Sequence, residues 1–186
     1  MKSLDPLSAL LLLQACGSHE SVWQNDTPTA QAAWERALLC YREQDYAKAF
    51  AWFEEADAKG YGKAACYLGL MYLKGRGVGC NPERAWAVFC RAAEQGDAAG
   101  QYWLAYLYEN GIGTQQDGAA AFYWYRRSAR RDDEVAVSAM KALGRLYERG
   151  VGVPEDKRQA LVWYRRALAA GDWAAETDVA RLVKGL

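Results

Sequence analysis

A pair of glycines two residues apart returns three times in this chain, as Gly75-Arg76-Gly77-Val78, Gly111-Ile112-Gly113-Thr114 and Gly150-Val151-Gly152-Val153. A tyrosine precedes each pair by three positions, at Tyr72, Tyr108 and Tyr147. The first glycines of the pairs stand 36 and then 39 residues apart, counted from Gly75 to Gly111 and from Gly111 to Gly150. A period of that size belongs to stacked supersecondary units, each of which buries its apolar face only against its neighbours. Such a chain offers an extended surface in place of one enclosed site.

Superposing the units fixes the rest of the period. Ala49, Ala85, Ala121 and Ala160 coincide, as do Trp52, Val88, Trp124 and Trp163; Phe53, Phe89, Tyr125 and Tyr164; and Ala56, Ala92, Ser128 and Ala167. Further on, Leu68, Leu104 and Leu143 match, each followed by a small residue, Gly69, Ala105 and Gly144. Apolar positions at i, i+3, i+4 and i+7 put one stripe on a helix, so each unit reads as two helices packed as a hairpin. The first glycine of a pair suits the left-handed residue that closes a helix, and the second permits close passage of the chain. Asn81-Pro82-Glu83 and Val153-Pro154-Glu155-Asp156 read as helix starts. A small residue beside each leucine lets the paired helices approach.

The pattern A-x-x-W-[FY]-x-x-A-x-x-x-G…A-x-x-x-L-G-x-x-Y-x-x-G-x-G-V resembles the Sel1-like repeat, a relative of the tetratricopeptide repeat. The resemblance implies an all-α fold, an α-solenoid of helix-turn-helix repeats wound as a right-handed superhelix. It runs from about Asp45 to the end of the sequence and divides into repeat 1 at 46–81, repeat 2 at 82–117, repeat 3 at 118–156 and a truncated, capping repeat 4 at 157–186. Residues 29–45 look like an entry helix, with the solenoid beginning near Thr29. Repeat 3 carries three extra residues within Arg131–Ala142, and Asp132 stands where the other units have Gly60, Gly96 and Gly171, so a longer turn is expected there.

Composition bounds the partners. With 186 residues, 52% hydrophobic, 8 Trp and 12 Tyr, the chain has enough apolar surface for a continuous core. A balance of 23 basic against 23 acidic residues speaks against a dedicated nucleic-acid binder, because phosphate-backbone affinity needs concentrated Lys and Arg. At the N-terminus, Lys2, the apolar run Leu7–Leu13 and Gln14-Ala15-Cys16-Gly17 resemble a bacterial lipoprotein signal with its lipobox. That resemblance implies a signal peptide at 1–15, lipidation of Cys16, a flexible tether at 16–28, and a bacterial cell-envelope protein anchored by lipid, facing the periplasm and favouring the outer membrane. The apolar run is too short to span a bilayer, which takes about 20 residues. A cytoplasmic repeat protein with an apolar leader is the alternative.

Chemistry-bearing motifs are sparse. Cys40, Cys66, Cys80 and Cys90 have no metal-ligand spacing, and no cofactor is expected. If the protein is exported, those four thiols allow three pairings as two disulfides, among which the sequence does not choose. Ser138-Ala139-Met140-Lys141 spells the S-x-x-K of penicillin-interacting enzymes, but the companion Ser-Asp-Asn and Lys-Thr-Gly elements are missing from the sequence. The single histidine, His19, falls in the tether, so no Ser-His or Cys-His pair arises within the repeats. Gly75-Arg76-Gly77-Val78-Gly79 follows a helix and not a strand, unlike a dinucleotide loop.

Recognition is the remaining function. Ala51, Ala87, Tyr123 and Val162 hold a register that points outward in the family, and Tyr67 and Trp103 take the slot before the leucine that is usually polar. An aromatic at a solvated position is a contact anchor unless it packs on the adjacent repeat. Just past the aromatic register stand Glu54-Glu55, Cys90-Arg91, Arg126-Arg127 and Arg165-Arg166, a ladder running from acidic to basic and extended by Arg130 and Arg131. Tyr123, Trp124, Arg126, Arg127, Val162 and Arg165 on the first helices, with Tyr67 and Trp103 of the second halves, are therefore the expected partner-binding residues, against a protein with an acidic surface. The resemblance implies a non-catalytic adaptor or scaffold, an inhibitor or immunity protein for a secreted toxin or effector, or a modulator of signalling.

Overall fold

Free amides at a helix start need acceptors, and this chain supplies them from short polar side chains. The computed structural model describes residues 28–130 and 134–185, which hold nine helices and no strand: α1 (Ala30–Arg42), α2 (Tyr46–Ala58), α3 (Gly62–Lys74), α4 (Pro82–Glu94), α5 (Ala98–Asn110), α6 (Gly118–Ser128), α7 (Glu134–Arg149), α8 (Lys157–Ala169) and α9 (Ala175–Lys184). Thr29, Asp45, Asn81, Asp97, Asp117 and Asp156 cap α1, α2, α4, α5, α6 and α8 through their side-chain oxygens. Pro82 occupies the first turn of α4 as expected. Asp156 is the cap of α8, so Pro154 and Glu155 stay in the loop ahead of that helix.

Each unit pairs a first helix (α2, α4, α6, α8) with a second (α3, α5, α7, α9), and α1 packs on α2 ahead of them. The result is the expected all-α stack of helical hairpins. In repeat 3 the first helix ends at Ser128 and the second begins at Glu134, whereas 59–61 and 95–97 join the helices of the units before it. Much of the insertion, however, lengthens a helix: α7 has 16 residues where α3 and α5 have 13. Arg131, Asp132, His19, the leader, the tether up to residue 27 and Cys16 lie outside the described residues.

The repeating tyrosine closes each hairpin. Tyr72 meets Phe50 edge-on at 5.3 Å, Tyr147 meets Phe122 at 5.3 Å, and Tyr108 meets Trp86 at 6.4 Å. Its backbone carbonyl then accepts the amide of the next helix cap, from Asn81, Asp117 and Asp156, each at 2.9 Å. Between these two contacts runs the glycine pair. Gly75, Gly111 and Gly150 terminate α3, α5 and α7 at φ of +63°, +65° and +65°. A Cβ on the second glycine would run into the chain at the start of the first helix of the same unit: Gly77 against Tyr46, Gly113 against Pro82, Gly152 against Gly118. The second glycine thus lets each exit loop lie directly on its own unit's entrance.

Successive units meet through the aromatic register. Phe53, Phe89, Tyr125 and Tyr164 are all buried, and each such ring contributes about 1.5–3 kcal/mol. A Cβ on Gly144 would come within 2.7 Å of the Tyr164 ring, and one on Gly69 would overlap the Phe89 ring. The small residue beside the leucine therefore admits the next unit's first helix, where the sequence suggested its own hairpin partner. Close approach is an inter-unit device.

The chemistry of that contact changes along the stack. Between repeats 1 and 2 the ring is a phenyl in an apolar cluster with Leu70 and Leu73, and the polar links across the same seam come from other residues, the Arg91–Asp57 ion pair and the Cys66–Asp97 contact. Between repeats 2 and 3, the Tyr125 hydroxyl donates to Glu109 Oε2 at 2.9 Å, and Arg145 holds the same carboxylate through Nε at 3.1 Å and a terminal nitrogen at 2.7 Å. Between repeats 3 and 4, Tyr164 donates to Glu148 Oε2 at 3.0 Å, and Arg181 grips Glu148 with both terminal nitrogens while also donating to Asp178. Hydrogen bonds to a charged group contribute about 1.5–3 kcal/mol each when shielded from water. Burial first, then the carboxylate beside it, pushes the phenol of Tyr164 well above its ordinary range. Arg181 foremost, with Tyr164, holds the Glu148 carboxyl below the usual glutamate value.

A carboxyl depressed in the folded state stabilises above its unfolded pKa and loses that contribution as pH falls through the lower folded value. The junction between repeats 3 and 4 should therefore weaken below pH about 4.5, the ordinary glutamate value. Hydrogen exchange at pH 3 should show α9 amides losing protection relative to pH 6, a loss that Glu148→Gln removes; equal protection at both pH values would contradict the assignment. Gly113→Ala, strained at φ +67° and obstructed by Pro82, should lower stability by about 2–5 kcal/mol in urea unfolding. Gly79→Ala, with open space around it, should change stability by less than about 0.5 kcal/mol.

Candidate protein-binding surface

Two faces of the stack differ in character because the second helices converge. α3 packs on α5 and α5 on α7, whereas the first helices of successive units make fewer direct contacts. Side chains on the second helices are thereby drawn against neighbouring units, and the outer register of the first helices is left open.

Tyr67 and Trp103 lie on the converging side and are half-buried. Tyr67 stacks on Phe53 at 4.8 Å and takes edges from Trp34 at 5.2 Å and Tyr41 at 5.6 Å. Trp103 stacks on Phe89 at 6.1 Å and meets Tyr106 at 5.6 Å. Tyr67 packs between its own unit and the entry helix, and Trp103 within its own unit, so much of each ring is taken up by contacts inside the chain. Tyr67 still contributes one wall to a cavity of about 420 Å³, shared with Trp34, Lys63, Cys66 and Val135.

On the first helices the outcome is different. Tyr123 is 52% exposed and Val162 44%, at equivalent positions of α6 and α8, where Ala51 and Ala87 occupy the earlier units. Arg126, Arg127, Arg165 and Arg166 are exposed beside them. Trp124 is half-buried, one face packed between repeats 2 and 3 and its edge 5.0 Å from Tyr123. Arg127 donates to the Tyr123 hydroxyl at 3.0 Å, with its guanidinium 5.8 Å from the Tyr123 ring and 5.4 Å from that of Trp124. Arg166 lies 4.9 Å over Trp163 in the same way. A guanidinium laid on an aromatic face keeps its donors in plane and restricts its own motion, which prepares it for a carboxylate. Six of the expected residues therefore gather on α6 and α8, and Trp163 and Arg166 join them.

The electrostatic ladder is real at the side-chain level. In repeat 1, Glu54 is exposed, Glu55 pairs with Lys59 at 2.7 Å, and Asp57 pairs with Arg91 of repeat 2. By contrast, none of Arg126, Arg127, Arg165 and Arg166 forms an ion pair with a described carboxylate. Four uncompensated cations on two adjacent helices make a basic ridge, although the whole chain has no net charge.

Other candidates take structural roles. Ser138 sits on α7, not on a turn, and its hydroxyl donates to Glu134 O of its own helix at 3.4 Å, while Lys141 pairs with Asp172 at 3.3 Å. The S-x-x-K spacing thus brings no serine–lysine pair together. Cys40, Cys66, Cys80 and Cys90 stand as free thiols. Cys66 is buried and donates to Asp97 at 3.0 Å; burial foremost, with that carboxylate, pushes its thiol far above the ordinary range. Burial, then Glu94, raises Cys90 to about 11, so neither is a ready nucleophile. Among the described residues no His, Cys, Asp and Glu cluster could hold a metal ion, and no helix is long and apolar enough to cross a membrane.

Comparison with known proteins agrees with this architecture. The Sel1 repeat model matches residues 35–61, 62–97, 98–133 and 137–172, each match after the first opening at or near a second helix. A Sel1 repeat protein from Oxalobacter formigenes is 33% identical, with a TM-score of 0.71 over 78% of this chain and 59% of its own. A protective antigen of uropathogenic Escherichia coli strains displaying an SLR fold is 30% identical, with a TM-score of 0.76 over 82% of this chain and 33% of that one. Among curated proteins, a chitin synthase regulator from Malassezia restricta is 45% identical over 53 residues, 28% of this chain but 4% of that protein. The chain thus spans less than two thirds of the length of each of these relatives. The chain belongs to the Sel1 repeat family, whose members are in general protein-interaction adaptors.

Proposed function

We propose that the chain is a non-catalytic adaptor that holds an acidic protein surface on the basic ridge of α6 and α8. The observation that carries this reading is the set of exposed arginines at 126, 127, 165 and 166, unpaired with any described carboxylate, two of which, Arg127 and Arg166, lie over aromatic rings. Tyr123 and Val162 supply apolar contact at the centre, and exposed arginines around them supply steering and orientation. The acidic first unit at the far end of the ladder disfavours a partner docked in the reverse sense, since like charges brought together are costly. The leader supports a bacterial envelope protein tethered by lipid at Cys16, which would bring the ridge to partners at a membrane surface.

With a fluorescein-labelled peptide rich in Asp and Glu as probe, Arg126→Glu combined with Arg165→Glu should weaken binding by about tenfold or more. The melting temperature should change by no more than about 2 °C, because both side chains are exposed. Equal binding by the double variant, or affinity that is indifferent to salt, would refute the ridge. For the anchor, a bacterial host grown with a fatty-acid label should incorporate it into the wild type and not into Cys16→Ala, which should leave the membrane fraction. An unlabelled, soluble wild type would overturn the lipoprotein reading.

A further inference from the structure

The hydroxyls at the aromatic register are distributed in step with the arginine pairs. Phe53 precedes Glu54-Glu55 and Phe89 precedes Cys90-Arg91, whereas Tyr125 precedes Arg126-Arg127 and Tyr164 precedes Arg165-Arg166. All four rings are buried, so a plain phenyl ring fills this position well enough to stack units 1 and 2. Packing therefore does not call for the hydroxyl in units 3 and 4. What the hydroxyl adds is a directional bond to the preceding unit: Tyr125 to Glu109 at 2.9 Å and Tyr164 to Glu148 at 3.0 Å. Each of those carboxylates is in turn clamped by an arginine of the following second helix, Arg145 or Arg181.

We infer that Tyr125 and Tyr164 are positioning residues for the ridge: their hydroxyls, bound to Glu109 and Glu148, fix the rotation of α6 and α8 so that the adjoining arginine pairs face one partner. This deepens the acidic-partner reading and rests on it. A phenyl ring in an apolar socket is held by burial and by its neighbours, and the burial term itself has no direction. A charge-assisted hydrogen bond does carry one. The bonded tyrosine stands next to the arginines in the chain, so a rotation of α8 that breaks the Glu148 contact also swings Arg165 and Arg166. Preorganisation of this kind removes the cost of ordering long side chains on binding.

Tyr164→Phe separates this role from packing, because Phe already serves at positions 53 and 89. Against the same Asp/Glu-rich fluorescent peptide, Tyr164→Phe should bind about fivefold more weakly, or worse, at a temperature where both proteins are fully folded. Its affinity should also fall less steeply with salt, because fewer arginines engage at once; a loss of stability alone would leave that slope unchanged. Glu148→Gln keeps an acceptor for the phenol and should retain more affinity than Tyr164→Phe, which guards against a variant that folds poorly. If Tyr164→Phe matches the wild type in affinity and salt slope while Arg165→Glu loses binding, the positioning role is wrong and the ridge stands. If Arg165→Glu binds as the wild type does, the ridge and the positioning role fall together.

Discussion

Everything in this molecule depends on how closely one hairpin can lie on the next. Two small positions govern that closeness: the second glycine of each pair, against the entrance of its own unit, and the small residue beside the leucine, under the neighbour's aromatic ring. A Cβ on Gly69 or Gly144 would run into the ring of Phe89 or Tyr164, and one on the second glycine would push an exit loop off its own entrance, whereas the middle junction accommodates the single methyl of Ala105 beside Tyr125. Core density in a repeat stack is a property of the contacts between layers, since no unit has a core of its own. Caps, turns and the closing tyrosine arrange each hairpin so that those contacts can be made.

Along this common scaffold the chain varies two things together. Inter-unit contacts pass from apolar at Phe89 to hydrogen-bonded at Tyr125 and Tyr164. The outer edge of the first helices passes from acidic to basic over the same span. A surface that recognises through arginine needs fixed geometry more than one that recognises by apolar contact, because hydrogen bonds to carboxylates are directional. The half of the stack with hydrogen-bonded rings is thus also the half whose first helices carry the exposed arginine pairs.

The glycine pairs, the caps and the aromatic register were legible because each is decided by residues near in sequence: φ at Gly111 follows from its place behind α5, and Asp117 caps its own helix. Exposure of Tyr123 and Val162 was legible for the same reason, since the helical period alone turns them outward. For Tyr67 and Trp103 the period gave only the register, and the rings they pack on, Trp34 and Tyr41 of α1 and Phe53 and Phe89 of the first helices, come from other helices that the period does not display. The task of Gly144 was misassigned likewise, its ring being supplied by the next unit. The Tyr-Glu-Arg contacts involve three helices at once, and the trace they leave in sequence is a Phe-to-Tyr change at the aromatic register coinciding with Glu109 and Glu148 in the place of Leu73.

The polar junctions also decide what the molecule shows to its surroundings when it breathes. Parting repeats 3 and 4 would uncover Glu148, Tyr164 and Arg181 together with Trp163 and Tyr147, whereas parting repeats 1 and 2 would bare Leu73 beside Phe89 together with the Asp57–Arg91 ion pair and the Cys66–Asp97 contact. What an opened seam offers a neighbouring molecule is thus apolar area interrupted by charge. At the last seam the interruption is the Arg181 bridge to Glu148 and Asp178.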